Sequence, residues 1–213
     1  MPDPRPVLFI LGLFVVALGV AMLLPMLADA ATGHPDWRIF ALGAGVTVFV
    51  GGALILMNRG GAVTLDVRQG CLLTTSSWVV ICVFAALPFT FGELNLSFTD
   101  AFFEAMSGLT TTGSTIMVGL DAMPPGVLLW RALLQWLGGI GIIAMAVAVL
   151  PFLRGGGMQL FRMESSDRSA KILPRAGQIA ASFGAAYFVL SVACAVCYWI
   201  AGMGAFDAIT HAM

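Results

Sequence analysis

Five apolar runs leave this chain little choice of fold: 7–26, 39–57, one ending at Phe91 that starts at Cys71 or Ser77, 127–153 and 178–203. Each approaches or exceeds the roughly 20 residues that carry a helix across a bilayer. Lipid offers no hydrogen-bond partner, so backbone polar groups must pair within each segment, and the runs read as helices. Of the 213 residues, 60% are hydrophobic and only 10% charged, where ordinary globular chains carry about 25% charged residues. The fold class is therefore an all-α polytopic membrane protein, and a soluble globular domain is excluded.

One apolar segment is too short to join them. Phe98 to Leu109 has 12 residues, about 18 Å of helix at 1.5 Å per residue, enough to enter a membrane halfway. Ser97-Phe-Thr-Asp100 ahead of it is spaced as a capping box. Directly after it comes Ser107-Gly-Leu-Thr-Thr-Thr-Gly-Ser114. Hydroxyls and irregular backbone are tolerated at membrane depth only when buried in protein or lining a water-filled path. Thr110, Thr111, Thr112, Gly113 and Ser114 are accordingly read as the wall of an ion path. A dehydrated monovalent cation needs a cage of oxygens, which selectivity filters supply from stacked backbone carbonyls. Gly113 gives the backbone access to positive φ, and the C-terminal end of the short helix, partially negative, favours a cation.

Charge sets the orientation, because cytoplasmic loops collect Lys and Arg. With the N-terminus inside, Arg5, Arg59, Arg68, Arg154, Arg162, Arg168, Lys171 and Arg175 are cytoplasmic, and only Arg38 and Arg131 are not. The threonine stretch then lies on the extracytoplasmic side, beside Asp29, Asp36, Glu93, Asp100 and Asp121, which together make a negative mouth that gathers cations. Glu104 and Arg131 are the charges within that half of the membrane. Such charges usually pair, and here they are expected to brace the short helix, so that exchanging them restores function. The alternative is that Arg131 reaches for the interface. Gly43, Gly45, Gly51 and Gly52 are expected to let the second span approach a neighbour, and Gly138, Gly139 and Gly141 to serve packing before any hinge. Cys71, Cys82, Cys194 and Cys197 read as buried thiols. No metal cluster, nucleophile triad or phosphate-cradling glycine loop occurs, so no enzyme, organic cofactor or nucleic-acid partner is expected.

Asp207-Ala-Ile-Thr-His-Ala-Met213 matches Asp100-Ala-Phe-Phe-Glu-Ala-Met106 at four positions, 107 residues apart. Each copy follows a full span and a short loop, as in the internal repeats of transport folds. The chain is divided into two leading helices and a cytoplasmic loop (1–69), a first pore repeat (70–153), a cytoplasmic loop (154–175) and an incomplete second repeat (176–213). It is expected to be the N-terminal portion of a longer protein.

Phe102-Phe-Glu-Ala-Met-Ser-Gly-Leu-Thr-Thr-Thr-Gly-Ser114, Trp130-Arg-Ala-Leu-Leu-Gln-Trp-Leu-Gly-Gly-Ile-Gly141 and Gly157-Met-Gln-Leu-Phe-Arg162 closely resemble the TrkH branch of the Trk/Ktr/HKT potassium transporters. The resemblance implies two leading helices followed by four repeats of helix, pore helix, filter and helix, about 480 residues in all. It implies potassium as the transported ion, a later repeat carrying the gating loop, a cytoplasmic TrkA-type nucleotide-binding ring, a homodimer of the full-length protein and a place in the bacterial cytoplasmic (inner) membrane. Gly113 then matches the filter glycine, and Thr111 and Thr112 the residues flanking the ion. In related plant-type proteins a serine at the first filter glycine accompanies sodium transport. This chain keeps Gly113, which favours potassium over a sodium-permeable relative. The other reading is a non-transporting membrane subunit, since one filter strand cannot enclose an ion.

Overall fold

The structure, a computed structural model, describes residues 3–60, 65–153 and 169–213. Its helices are α1 (Arg5–Ala21), α2 (Leu23–Thr32), α3 (Trp37–Met57), α4 (Val67–Ala85), α5 (Leu87–Phe91), α6 (Phe98–Leu109), α7 (Pro125–Leu153), α8 (Ser169–Ile200) and α9 (Ala205–Ala212), with a 3-10 turn at Leu120–Ala122. No strand occurs among the described residues. Among the described residues, five stretches are long and apolar enough to cross a membrane: Arg5–Thr32, Trp37–Met57, Arg68–Phe91, Pro125–Ile143 and Ala181–Ile200. The chain divides into two compact units, residues 1–136 and 137–213.

In the first unit, α1 and α2 join through Met22, itself in α conformation, and run on to Gly33. Gly33 ends α2 at φ 74°, a left-handed cap that glycine adopts without the usual Cβ penalty. The helical stretch thus outlasts the expected 7–26. Against α1, α3 packs almost backbone to backbone. A Cβ on Gly12 would lie 2.8 Å from the Gly51 carbonyl, and one on Gly51 would lie 2.8 Å from the Val16 nitrogen. Close approach of this kind needs small residues on both sides. Of the four α3 glycines expected to provide it, Gly51 does. Gly43 makes only ordinary contacts, and Gly45 and Gly52 face open space. Gly12 and Gly19 of α1 are the partners that the one-sided reading of α3 left out.

Polar residues join the helices where they find partners. Arg68, Gln69 and Gly70, ahead of the expected start of the third span, already belong to the first turn of α4, where the Gln69 amide donates to the Asp3 carbonyl (2.7 Å) and accepts from the Asp66 N–H (2.8 Å). Trp130 of α7 is fully buried; its indole N–H donates to the Ala85 carbonyl at 3.0 Å and its ring meets Phe40 edge-on, 6.3 Å between centroids. That contact ties α3, α4 and α7 together.

In the second unit, α8 begins at Ser169, inside the segment 154–175 expected as a loop. A Cβ on Gly139 would lie 2.6 Å from the Tyr187 hydroxyl, so this glycine makes room for a ring; Gly141 faces open space. Helix α9 packs on α8, with His211 against Tyr198 at 6.4 Å. Ser97 and Gly204, the N-caps of α6 and α9, share one conformation (φ −57°, ψ 151° and φ −57°, ψ 147°), and each places an aspartate, Asp100 or Asp207, three residues on. Of the four cysteines, only Cys82 is fully buried; Cys194 is half-buried and Cys71 and Cys197 are exposed, correcting the expectation of four buried thiols. Residues 154–168, with Arg154, Arg162 and Arg168, lie outside the described residues, as do the side chains of Lys171 and Arg175.

Candidate functional site

Helix α6 spans Phe98–Leu109, the bounds read from sequence. The Ser97 hydroxyl accepts from the Asp100 N–H (3.2 Å) and donates to the Asp100 carboxylate (2.7 Å), closing the cap locally. Small residues seat the helix: Ala101 and Ala105 are fully buried, as is Ala85 of α4, and Cys82 meets Met106 sulfur to sulfur at 3.7 Å. A Cβ on Gly108 would lie 3.2 Å from Leu134 Cβ, so α7 closes the other side.

Beyond α6 the chain folds back on the helix end. The Thr110 N–H donates to Met106, Thr111 to Gly108 (2.9 Å), and Thr112 and Gly113 both to Ser107 (3.0 and 3.3 Å). All peptide bonds described are trans, and in a planar trans peptide the C=O points opposite to the N–H. The carbonyls of Thr110, Thr111 and Thr112 therefore face away from α6. Among the described residues nothing donates to them or to the Gly113 carbonyl. The expected bare helix terminus takes a different form. Its last carbonyls are used by the loop, whose peptides line up with the helix dipole and extend its negative end. Thr111, Thr112, Gly113 and Ser114 are exposed and Thr110 is half-buried.

Two residues of the loop have positive φ, Thr111 at 57° and Gly113 at 74°. A Cβ on Gly113 would meet nothing within 4 Å, so glycine is needed there for conformation and not for room. Positive φ at Thr111 was not foreseen. A β-branched residue in the left-handed region costs about 1–2 kcal/mol, and such strain gathers at functional sites. The hydroxyls work on the framework. Ser107 Oγ donates to the Ser114 carbonyl at 2.6 Å, Thr110 Oγ1 donates to Met106 at 2.8 Å, and Thr112 Oγ1 lies 2.8 Å from Thr110 Oγ1. The Ser114 carbonyl is thus engaged, unlike those of residues 110–113.

Glu104 secures the segment leaving the loop. It is only 2% exposed. One oxygen accepts from Thr115 Oγ1 and the Ile116 N–H, both at 2.6 Å, and the other from Arg131 Nε at 3.2 Å. The two charges singled out in the sequence are brought together. Thr115 and Ile116 are additions that no pattern marked, since the contact with Ile116 is through backbone. They also make the pair unsuited to exchange: an arginine at 104 would set donors against donors.

The acidic mouth needs correction. Asp29 and Asp36 are buried, at 0% and 6% exposure. Asp29 Oδ1 accepts from the Gly126 N–H at 2.6 Å, and both Asp36 oxygens accept from the Glu93 N–H at 3.1–3.2 Å. Each is consumed by backbone at a helix or loop start. Glu93 is exposed and pairs with His34 at 2.9 Å, Asp100 belongs to the α6 cap, and the Asp121 side chain lies outside the described residues.

A family described as TrkH, cation transport protein, matches residues 38–213. The chain belongs to this family. It is 41% identical over 208 residues to the Trk system potassium uptake protein TrkI of Halomonas elongata, covering 98% of this chain and 42% of that one. It is 43% identical over 210 residues to the Trk system potassium uptake protein TrkH of Escherichia coli K12, covering 97% and 44%. The crystal structure of the potassium transporter TrkH from Vibrio parahaemolyticus superposes with a TM-score of 0.86 at 38% identity, over 99% of this chain and 42% of that one. The chain spans a little over two-fifths of the length of these TrkH-family relatives. It is an integral, multi-pass membrane protein of a transporter family.

Proposed function

We propose that this chain supplies one wall of a potassium-selective filter, with the carbonyls of Thr110, Thr111, Thr112 and Gly113 replacing the water of a K⁺ ion. The observation that carries this reading is the set of three N–H groups, from Thr111 to Gly113, all turned onto the end of α6. They leave a row of undonated oxygens on the other side. Ser114 contributes its hydroxyl, its carbonyl being held by Ser107. Glu104 and Arg131 brace the loop from behind. The matching starts of α6 and α9 support a repeated unit, in which further copies complete the ring around the ion. The potassium uptake activity for which the relatives are named supports potassium as cargo. The ion passes inward across the bacterial cytoplasmic membrane, with the N-terminus inside as the Lys and Arg of the loops favour. A TrkA-type cytoplasmic ring and a homodimer of the full-length protein complete the proposed assembly.

Growth of a potassium-uptake-deficient bacterium on low potassium tests this. Full-length protein carrying this segment is expected to restore growth and rubidium uptake, and Gly113→Ser to weaken the preference for K⁺ over Na⁺. Unchanged uptake and selectivity with a bulky residue at 113 would sink it. The 213-residue chain by itself is expected not to restore growth, as one filter strand does not surround an ion.

A further inference from the structure

Two buried acids at the corner between α2 and α3 reach opposite flanks of the filter unit. Asp29, near the end of α2, takes the N–H of Gly126, in the first turn of α7 (2.6 Å). Its other oxygen, Oδ2, is buried with no partner among the described residues. A Cβ on Gly126 would overlap this carboxylate. Asp36, seven residues on, takes the N–H of Glu93 with both oxygens, and a Cβ on Gly92 would come within 3.0 Å of it. One acid thus fixes the loop that leads into α6. The other fixes the start of α7, whose Arg131 holds Glu104 and, through it, Thr115 and Ile116.

From this geometry we infer that Asp29 and Asp36 are positioning residues of the filter: the corner of the leading helices is a bracket that sets the separation between the helix entering the loop and the helix leaving it. The inference rests on the filter reading above. Both acids sit on the leading helices, outside the repeated unit, and neither faces the ion path with a free charge. Both act as acceptors for backbone N–H groups: Asp29 at the N-terminal end of α7, where the helix dipole favours an anion, and Asp36 at the loop that follows α5. A filter holds its ion through the number and placement of its oxygens, so a loosened flank should appear first in affinity and selectivity.

Asparagine and alanine at 29 and 36, together with Gly126→Ala, separate this role from an attracting charge. In the full-length transporter, rubidium uptake is measured per inserted protein, with K⁺ half-saturation and Na⁺ competition as readouts. Asp29→Ala and Asp36→Ala are expected to raise half-saturation and weaken Na⁺ discrimination about fivefold or more. Asp29→Asn and Asp36→Asn, which keep the accepting oxygen, should stay close to the parent. Gly126→Ala should copy Asp29→Ala with the carboxylate present, and it carries the test if Asp29→Ala does not reach the membrane. Equal damage from asparagine and alanine would assign the effect to charge and overturn the bracket. Parental affinity and selectivity in the alanine variants would overturn it too. A parent protein that itself takes up no K⁺ would instead overturn the filter reading.

Discussion

Replacing Glu104 with glutamine removes one charge and almost no volume from the clamp behind the loop. The carboxylate accepts three hydrogen bonds, from Thr115 Oγ1, the Ile116 N–H and Arg131 Nε. An amide offers one oxygen. If that oxygen keeps Thr115 and Ile116, its NH₂ group faces the guanidinium; if it turns, the NH₂ group faces the other two donors. At least one hydrogen bond to a charged group is lost, about 1.5–3 kcal/mol. Alanine removes both acceptor oxygens and all three hydrogen bonds, and leaves Arg131, whose side chain is only 13% exposed, without its counter-charge. Breaking a buried pair from one side costs about 3–5 kcal/mol. Because an exchange of charges fails on the Ile116 N–H, the informative experiment is a double-mutant cycle of Glu104→Gln with Arg131→Met, which keeps most of the arginine stem. Unfolding of purified protein in mixed micelles, titrated with SDS, reads the stability of all four forms. The double variant is expected to be more stable than additivity predicts, by about 1–2 kcal/mol, within the range for residues in contact. Additivity to within about 0.5 kcal/mol would refute the clamp.

Gly113→Ala should destabilise the loop by about 1 kcal/mol, through its φ of 74° and not through a clash. In a full-length transporter carrying this segment, rubidium uptake should fall further than the melting temperature suggests. Trp130→Ala is expected to cost about 3–5 kcal/mol, and Trp130→Phe about 1 kcal/mol for the lost bond to Ala85; thermal melts of the two variants check the split. Along α3, Gly51→Ala should lower the melting temperature clearly while Gly52→Ala should leave it unchanged, since only the first meets α1. Equal effects at 51 and 52 would mean that the α1–α3 seam is misplaced.

Much of the site was legible because its causes are local. Helix α6 starts where a serine and an aspartate three residues on close a cap, and it stops where threonines and glycine give the chain another way to satisfy its backbone. Gly113 at positive φ follows from the same reasoning, and the Glu104–Arg131 meeting follows from the cost of lone charges in a membrane. The acidic mouth was misread for the opposite reason. An aspartate's letter is the same whether its carboxylate faces water or a backbone N–H 97 residues away, as Asp29 faces Gly126. Glycine has the same ambiguity: Gly51 and Gly52 differ only in which face of α3 they occupy.

The sequence by itself determined the class of the molecule and the place of the unusual loop, because hydropathy, helix length and capping depend on neighbours along the chain. Tertiary structure alone decided which acids are consumed as braces, which glycines form a seam, that Thr111 accepts a left-handed backbone, and that Glu104 holds Ile116. Each of these depends on which distant backbone groups lie within about 3 Å, the reach of a hydrogen bond, and no local pattern encodes that distance.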